Sequence, residues 1–422
     1  MRRVENRREK INIFLSVVVM FIMAALVVFI SGRLPGNEVE DESLNNKRNE
    51  EKQEELIIWY YDSMYTDYLN AICEKYEDKH DIKVKAVKVS ADGYLEAINA
   101  ASANDEEYPD LYILPEEMLE KAYLGGLAQI NEHDKQYSED NFSSVALSSI
   151  TYKNKKIAYP LSFDTCFLVY NKSYTEAAPQ TFDDIIKYAE NFDGENFPEV
   201  KTVIEWNASD ILYNYGFVGA YMECGGINGD DSSVFDVTND NVKKSLKYYT
   251  KLQEYFSIDM ENITDKTIKT DFVKGKIVYT LAGMDYYKYF SKKEIDLGIA
   301  KFPDLNKELK AKSLASTNVV VVNPFSNNLR ETEKLAMYMT YDNPEMVYEL
   351  TGKLSPAFYE YEDENLNTIL ACYGESAIMP KLMNALDYKQ RLQITLNNIW
   401  SGGSIKENLN TLKDEMSMEI EK

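Results

Sequence analysis

Histidine is nearly absent from this chain of 422 residues, which contains only His80 and His133. Because the two lie far apart in the sequence, histidine-rich metal sites, the HExxH helix and a Ser-His-Asp triad are hard to build. Cysteine is also scarce, with four widely scattered residues and no CxxC pair. We therefore predict no metal site and no cofactor. Buried thiols are expected at the cysteines, although their even number permits disulfides.

Basic residues are few in relation to acidic ones. The chain has 46 Lys and Arg against 70 Asp and Glu, which gives a formal net charge of −24. Nucleic-acid binding depends mainly on neutralising phosphates, and no basic patch with interleaved aromatic residues offsets this balance, so nucleic acid is excluded as a partner. The hydrophobic share of 45% is ordinary for a globular chain, and the length predicts two or three domains.

Long apolar runs are absent except for one near the N-terminus, residues 11–32, which carries no charge. At about 1.5 Å per residue this run spans the roughly 30 Å hydrocarbon core of a bilayer. The basic residues in 1–10 predict a cytoplasmic stub, a transmembrane helix over 11–32 and an extracellular remainder. The run is long for a signal peptide, and neither an A-x-A cleavage pattern nor a nearby lipid-accepting Cys is present. A single-pass anchor in the cell membrane is expected, with a cleaved signal peptide as the alternative.

Residues 33–54 contain almost nothing to bury and predict a charged tether. Beyond them, strand and helix patterns alternate with short connections. This arrangement predicts an α/β region with a largely parallel sheet, in which ligands bind at the carboxyl ends of strands. The loops after Tyr61, Leu114 and Ala282 are therefore candidates. The predicted strands are 55–61, 82–89, 109–114, 276–282 and 318–322, and the predicted helices are 67–79, 94–103, 237–256 and 330–339.

Several sequence phrases occur in a characteristic order along the external region. The most specific is YKNKKIAYPLSFDTCFLVYNKSY at 152–174, with Asn154 where glycine is common. Others are YPDLYIL, GGLAQI, TFDDII, DFVKGKIVYTLAG and IDLGIAKFPD. Any one phrase is weak, but the ordered set resembles the type 1 extracellular solute-binding proteins, the maltose-binding-like partners of ABC importers. The resemblance covers residues 55–416.

This resemblance implies a two-lobed periplasmic-binding-protein (Venus-flytrap) fold, type II-like, following the N-terminal helix. Lobe 1 would comprise 55–161 and 301–350, and lobe 2 would comprise 165–296 and 357–422. The chain would cross between lobes near 161–166, 296–303 and 350–357. The implied function is capture of a sugar or oligosaccharide between the lobes and its delivery to ABC importer permease subunits, without chemistry. Family members are typically monomeric, and a monomer is expected.

The resemblance also places ligand contacts at individual positions. Asp164 keeps a carboxylate just after the hinge phrase, whereas Leu114 and Asp285 stand where sugar-binding members commonly carry aromatic residues. Aromatic faces stack on a pyranose, and carboxylates accept its hydroxyl hydrogens. The candidate ligand-binding residues are Tyr61, Asp62, Ser63, Leu114, Glu116, Asp164, Trp206, Tyr215, Asp285, Tyr286 and Tyr388.

Each candidate also has a purely structural interpretation. Asp164 and Asp285 could cap helices, and Trp206 could be a core residue, which is the usual fate of a large aromatic side chain. The two acids could also pair with the ammonium of a polyamine or peptide. Two other functions stay open: a ligand-sensing or scaffold protein of the same fold that signals to a membrane partner, and a surface glycosidase using paired carboxylates.

Overall fold

Two separate β-sheets form the framework of the molecule. The structure is a computed structural model, and it describes residues 55–104, 107–382 and 384–420. The predicted cytoplasmic stub, transmembrane helix 11–32 and tether 33–54 lie outside this part of the chain. Among the described residues, no helix is both long and apolar enough to cross a bilayer.

The first sheet has the strand order β14-β13-β3-β1-β2, with β6 also paired to β13. Strands β1, β2 and β3 run parallel, while β13 is antiparallel to β3 and β6. The residues of β1 alternate between buried and less buried positions, as a strand with one covered face requires. The strands of this sheet are β1 (Glu55–Tyr60), β2 (Lys83–Lys88), β3 (Leu111–Pro115), β6 (Tyr159–Thr165), β13 (Leu314–Val322) and β14 (Ala377–Ile378).

The second sheet has four strands in the order β12-β7-β11-β8. Strand β7 is antiparallel to both β11 and β12, and β11 is parallel to β8. Strands β7 and β11 are buried along their whole length, so both faces of this sheet are covered there. The strands are β7 (Phe167–Asn171), β8 (Thr202–Ile204), β11 (Ile277–Ala282) and β12 (Leu297–Lys301).

Two small hairpins complete the strands, β4 (Thr151–Tyr152) with β5 (Lys155–Lys156), and β9 (Glu223–Gly225) with β10 (Asp231–Asp236). Short 3-10 turns cover Ser63–Tyr65, Glu116–Met118 and Tyr215–Phe217. The helices are α1 (Thr66–His80), α2 (Tyr94–Ala103), α3 (Leu119–Leu124), α4 (Ser144–Ser149), α5 (Phe182–Glu190), α6 (Ile211–Asn214), α7 (Asp240–Phe256), α8 (Asp265–Val273), α9 (Met284–Phe290), α10 (Leu329–Thr340), α11 (Pro344–Thr351), α12 (Glu364–Gly374), α13 (Ala385–Trp400) and α14 (Ile405–Ile420).

The chain passes directly from one sheet to the other after β6. Strand β6 ends at Thr165 in the first sheet, and β7 begins at Phe167 in the second, so Cys166 alone connects them. The chain returns between Lys301 and Leu314. Strand β14 falls within the residues predicted for lobe 2, yet it pairs with β13 at the start of that strand, in the first sheet. The predicted lobe boundaries otherwise stay predictions.

All four cysteines are free thiols. Cys73, Cys166 and Cys372 are buried and Cys224 is half-buried, so the thiols pack as small apolar side chains and the alternative of a disulfide is not realised. Burial raises the pKa of the Cys73 thiol to about 12, which leaves it protonated and unreactive at neutral pH.

Tyrosine supplies much of the core, and several of its buried hydroxyls form hydrogen bonds. The hydroxyl of Tyr68 donates to the backbone oxygen of Met339 at 2.8 Å, and that of Tyr76 donates to Glu331 Oε1 at 2.6 Å. A buried phenol without a partner would cost free energy, so these bonds let a tyrosine-rich core form. They also fix α1 against α10.

Candidate ligand-binding cleft

A cavity of about 670 Å³ lies where the loop after β1, the end of β6, the start of α9 and the loop after α11 come together. Its lining is mostly polar and combines side chains of β6 and β13, in the first sheet, with side chains of α9, the helix that follows β11 of the second sheet. The charged lining residues are Asp62, Asp67, Asp164, Asp285, Lys288 and Lys353. The remaining ones are Ser63, Met64, Phe163, Ser316, Asn318, Leu350 and Thr351. A concave site with converging polar groups at such a junction is the expected form of a small-molecule site.

Asp164 connects the first sheet to the first turn of α9. Its Oδ1 accepts hydrogen bonds from the backbone N–H groups of Met284 and Thr165, both at 2.9 Å. Helix α9 has no side-chain cap of its own, since Gly283 precedes it, and the carboxylate of Asp164 satisfies one of its free N–H groups. A Cβ on Gly283 would lie 3.0 Å from Asp164 Oδ1, so glycine permits this close approach.

Lys353 lies between two of the predicted acids. Its ammonium donates to Asp164 Oδ2 and lies 3.2 Å from Asp285 Oδ1. Burial alone would lower the pKa of Lys353, but the two carboxylates outweigh it and hold the pKa above its ordinary value. Lys353 therefore keeps its charge. The side chain is only 13% exposed, whereas that of Asp285 is 76% exposed and free to meet a ligand.

A second lysine, Lys288, also holds helix α9 in place. Lys288 of α9 donates to the backbone oxygen of Thr351 at 2.9 Å. Its aliphatic chain lies over Gly352, where an added Cβ would come within 2.3 Å of it. Helix α9 is thus docked onto the segment that follows α11.

Four of the predicted site residues meet at this cavity, namely Asp62, Ser63, Asp164 and Asp285. Tyr61 is half-buried beside it, with its ring edge-on to Tyr94 at 5.0 Å. Asp62 has a structural task as well, because its Oδ1 accepts from the backbone N–H of Met64 at 2.9 Å.

The other predicted contacts are buried side chains outside the lining of this cavity, so the structure does not bring them together with these four residues. They are Leu114, Glu116, Trp206, Tyr215, Tyr286 and Tyr388. Trp206 is fully buried; its Nε1 donates to Asn214 Oδ1 at 3.1 Å, and its ring packs edge-on to Trp400 at 5.3 Å. The core interpretation therefore applies to Trp206.

Glu116 belongs to a buried group of charges that the sequence did not predict. Burial first, and then the neighbouring Glu117 carboxylate, raise the pKa of Glu116 to about 8. Lys381 is also buried, and burial lowers its pKa to about 8. Lys389, next to the predicted Tyr388, lies 2.7 Å from Glu117 Oε1. Of these four residues, Lys389 and Glu117 connect α13 with the turn after β3.

Lys353 and Lys288 were missed by the sequence analysis. The position of Lys353 in the sequence could have indicated its role, because it falls within the predicted crossing 350–357 between the lobes. Within the part of the chain that the structure describes, no group of three or more His, Cys, Asp or Glu side chains is arranged to hold a metal ion.

Two sheets joined by crossing strands, with a polar cleft at their junction, define a two-lobed α/β binding protein. Residues 71–366 match the model of the bacterial extracellular solute-binding protein family, which is well over half of the chain. The chain belongs to this family. Its members bind substrates for ABC transporters and carry out no chemistry, so the chain is a binding protein and not an enzyme.

Similar proteins agree with this assignment. The maltodextrin-binding protein MdxE of Bacillus subtilis (strain 168) is 24% identical over 318 residues, covering 72% of this chain and 74% of the relative. The galactooligosaccharide-binding protein of the same organism is 22% identical over 324 residues, covering 74% of each chain.

Solved structures share the fold. A cyclo/maltodextrin-binding protein complexed with maltotetraose superposes with a TM-score of 0.74 at 18% identity, covering 88% of this chain and 98% of that one. An extracellular solute-binding protein from Staphylococcus aureus in complex with maltose gives the same score at 21% identity, with the same coverage. At these identities the likeness establishes the two-lobed fold.

Proposed function

We propose that this chain is an extracellular receptor that captures a carbohydrate in the cleft described above and delivers it to the permease of an ABC importer. The observation that carries the proposal is the position of Asp164, Asp285 and Lys353, which come from three different segments and meet at the cavity. Carboxylates accept hydrogen bonds from sugar hydroxyls, and an ammonium donates to them. The oligosaccharide ligands named for the relatives support the same class of ligand.

The cleft also offers neutral groups suited to a polyol. Ser63, Ser316 and Asn318 line it, and each can donate and accept hydrogen bonds. A volume of about 670 Å³ falls within the range of roughly 300–1,000 Å³ that small-molecule sites occupy. Closure of two lobes around such a ligand would exclude water and strengthen these bonds.

Attachment to the membrane is a separate part of the proposal. The uncharged run 11–32 is long enough to span a bilayer, and we propose it as a single-pass anchor that leaves residues 55–422 on the outer face. Mass spectrometry of the N-terminus of protein isolated from membranes tests this. Recovery of peptides from residues 1–10 supports the anchor, and an N-terminus beyond residue 32 overturns it.

The binding proposal is tested by thermal unfolding of the full chain in mild detergent with maltose, maltotriose and a galactooligosaccharide. A ligand at 100 times its dissociation constant adds about 2.7 kcal/mol to the stability of the folded state. We expect a shift with a saccharide, and its loss in Asp164→Asn. The control Asp78→Asn changes an exposed Asp of α1 outside the cleft lining and should keep the shift. No shift with any saccharide would overturn the proposal.

A further inference from the structure

None of the residues that line the cavity offers an accessible aromatic face to a sugar ring. Phe163 is the one aromatic side chain among the residues that line the cavity. It is 1% exposed, and its ring is stacked on Tyr373 with 4.0 Å between centroids. A neutral oligosaccharide would therefore lack the stacking contact that usually binds the apolar face of a pyranose. Another interaction must supply affinity and selectivity.

Negative charge is the property in which the cleft is rich. Four carboxylates line it (Asp62, Asp67, Asp164 and Asp285) against two ammonium groups. A third ammonium group, that of Lys88, donates to Ser63 Oγ at the margin of the cavity. When Lys88 is counted, four carboxylates still face three ammonium groups. The formal net charge of −24 for the whole chain adds a long-range attraction for cations.

The two sides of the cleft differ in how their charges are compensated. Asp164 and Asp285 both contact the ammonium of Lys353. Asp62 and Asp67, at the loop after β1 and the first turn of α1, are exposed and form no ion pair with any described residue. The uncompensated charge thus lies on the side of the first sheet, next to the hydroxyl of Ser63.

Lys353 shows how this cleft binds an ammonium group. Its nitrogen is held by one carboxylate from β6 and a second from α9, 3.2 Å away, in a site that is 13% exposed. Burial of a cation is costly unless such partners are present. The Lys353 ammonium between two carboxylates is therefore an example, within this cleft, of the contact that Asp62 and Asp67 can make with an ammonium group of a ligand.

We propose that the saccharide bound here carries a protonated amino group, as an oligosaccharide of glucosamine does. This inference rests on the proposed function and names the ligand class of the same cleft. The ammonium of the ligand lies at Asp62 and Asp67, and its hydroxyls lie at Ser63, Ser316 and Asn318. Because charge takes the place of aromatic stacking, the N-acetylated form of the same sugar binds more weakly.

The test is a matched panel in the thermal unfolding assay with the full chain at about pH 6, where a primary amine is protonated. The probes are a glucosamine disaccharide, its N-acetylated counterpart, maltose and spermidine. We expect the amino sugar to bind about tenfold more tightly than its N-acetylated form, as one charge contact of this kind provides. High salt should weaken the amino sugar's binding and leave that of the neutral sugars unchanged.

Two variants locate the contact. Asp62→Asn keeps an oxygen that accepts from Met64 N–H, and Asp67→Asn changes an exposed position, so both should fold normally. Each should lower the affinity for the amino sugar several-fold more than the affinity for its N-acetylated form. Asp78→Asn on the same helix is the matched control. Lys353→Gln releases two further carboxylates and should raise the affinity for the amino sugar.

The possible results separate this inference from the proposed function. Binding of the N-acetylated sugar or maltose as tight as that of the amino sugar would overturn the inference and leave the carbohydrate receptor standing. Binding of spermidine without any saccharide would overturn both, as would no binding at all. Preference for the amino sugar that persists unchanged in both Asp variants would overturn the assignment to Asp62 and Asp67.

Discussion

Lys389 and Glu117 form an ion pair with 2.7 Å between Nζ and Oε1, although the Glu117 side chain is only 1% exposed. The pair connects α13 with the turn that follows β3, segments that lie 272 residues apart in sequence. Burial first acts to lower the pKa of Lys389, but Glu117 outweighs it and holds this pKa above its ordinary value. Lys389 therefore keeps its positive charge at neutral pH.

Loss of Lys389 should be costly. In Lys389→Met the carboxylate of Glu117 would remain buried without its partner, which costs about 3 kcal/mol of unfolding free energy. Urea denaturation measures this. The matched control is Lys121→Met, which breaks the exposed pair of Lys121 with Glu96 and should cost about 0–1 kcal/mol. Equal losses in the two variants would contradict a special role for the buried pair.

Glu116 should make stability depend on pH. Its pKa is raised to about 8 in the folded state from an ordinary value of 4.5, so the folded state binds this proton more tightly than the unfolded chain does. The resulting stability is complete below pH 4.5 and is lost as pH rises through 8, with a slope of at most about 1.4 kcal/mol per pH unit. Urea denaturation between about pH 5 and 7 should show the decline, and Glu116→Gln should remove it.

The control for that series is Glu132→Gln at an exposed position. It should leave the decline unchanged. Lys381 acts in the opposite direction and in a different window. Its pKa is lowered to about 8 from 10.5, so the folded state binds this proton less tightly than the unfolded chain does. The buried charge of Lys381 therefore lowers the free energy of unfolding below pH 8, and this loss is recovered as pH rises from 8 to 10.5. A flat profile for the unmodified chain from pH 5 to 7 would refute the role of Glu116.

Trp206 should matter for stability and not for binding. The side chain is fully buried and packs on Trp400, so Trp206→Ala should cost about 3–5 kcal/mol of unfolding free energy. Trp206→Phe keeps most of the volume and should bind the saccharide identified by thermal unfolding with unchanged affinity. A loss of affinity in a folded Trp206→Phe protein would show that the ring contacts the ligand after all.

Gly283 should matter for binding because of its proximity to Asp164. An added Cβ would lie 3.0 Å from both Asp164 Oδ1 and Leu212 Cδ2, which is tighter than an ordinary contact. Gly283→Ala should cost about 1–3 kcal/mol of stability and lower ligand affinity, because the carboxylate must shift. Titration calorimetry measures the affinity. Gly374→Ala is the control, since its Cβ would remain 3.5 Å from the nearest atom.

Local periodicity was a good guide to the elements. The predicted helices 67–79 and 94–103 correspond to α1 and α2, and the predicted strand 276–282 corresponds to β11, each within one residue at either end. The strand predicted at 318–322 begins earlier, at Leu314, because the first half of β13 also pairs with β6. Pairing of that kind depends on distant residues and leaves no mark on a short window of sequence.

The site was harder to predict for the same reason. Asp164, near the end of β6, and Asp285, shortly after β11, were placed by the order of the family's phrases, but Lys353 meets Asp164 across 189 residues of sequence. The aromatic candidates show a second difficulty. A large ring such as Tyr388 serves equally well as a core residue, and its 1% exposure is a property of the packed fold, not of its neighbours in sequence.

The transition from β6 to β7 has a mechanical consequence. Asp164 lines the cleft. Two residues further along the chain, Cys166 connects β6 of the first sheet to β7 of the second. A ligand bound to the Asp164 carboxylate would therefore act next to the backbone that joins the two sheets, and a torsional change there would turn one sheet relative to the other. Ligand contact and inter-sheet connection would then share one short stretch of backbone, and no long relay of side chains would be required between them.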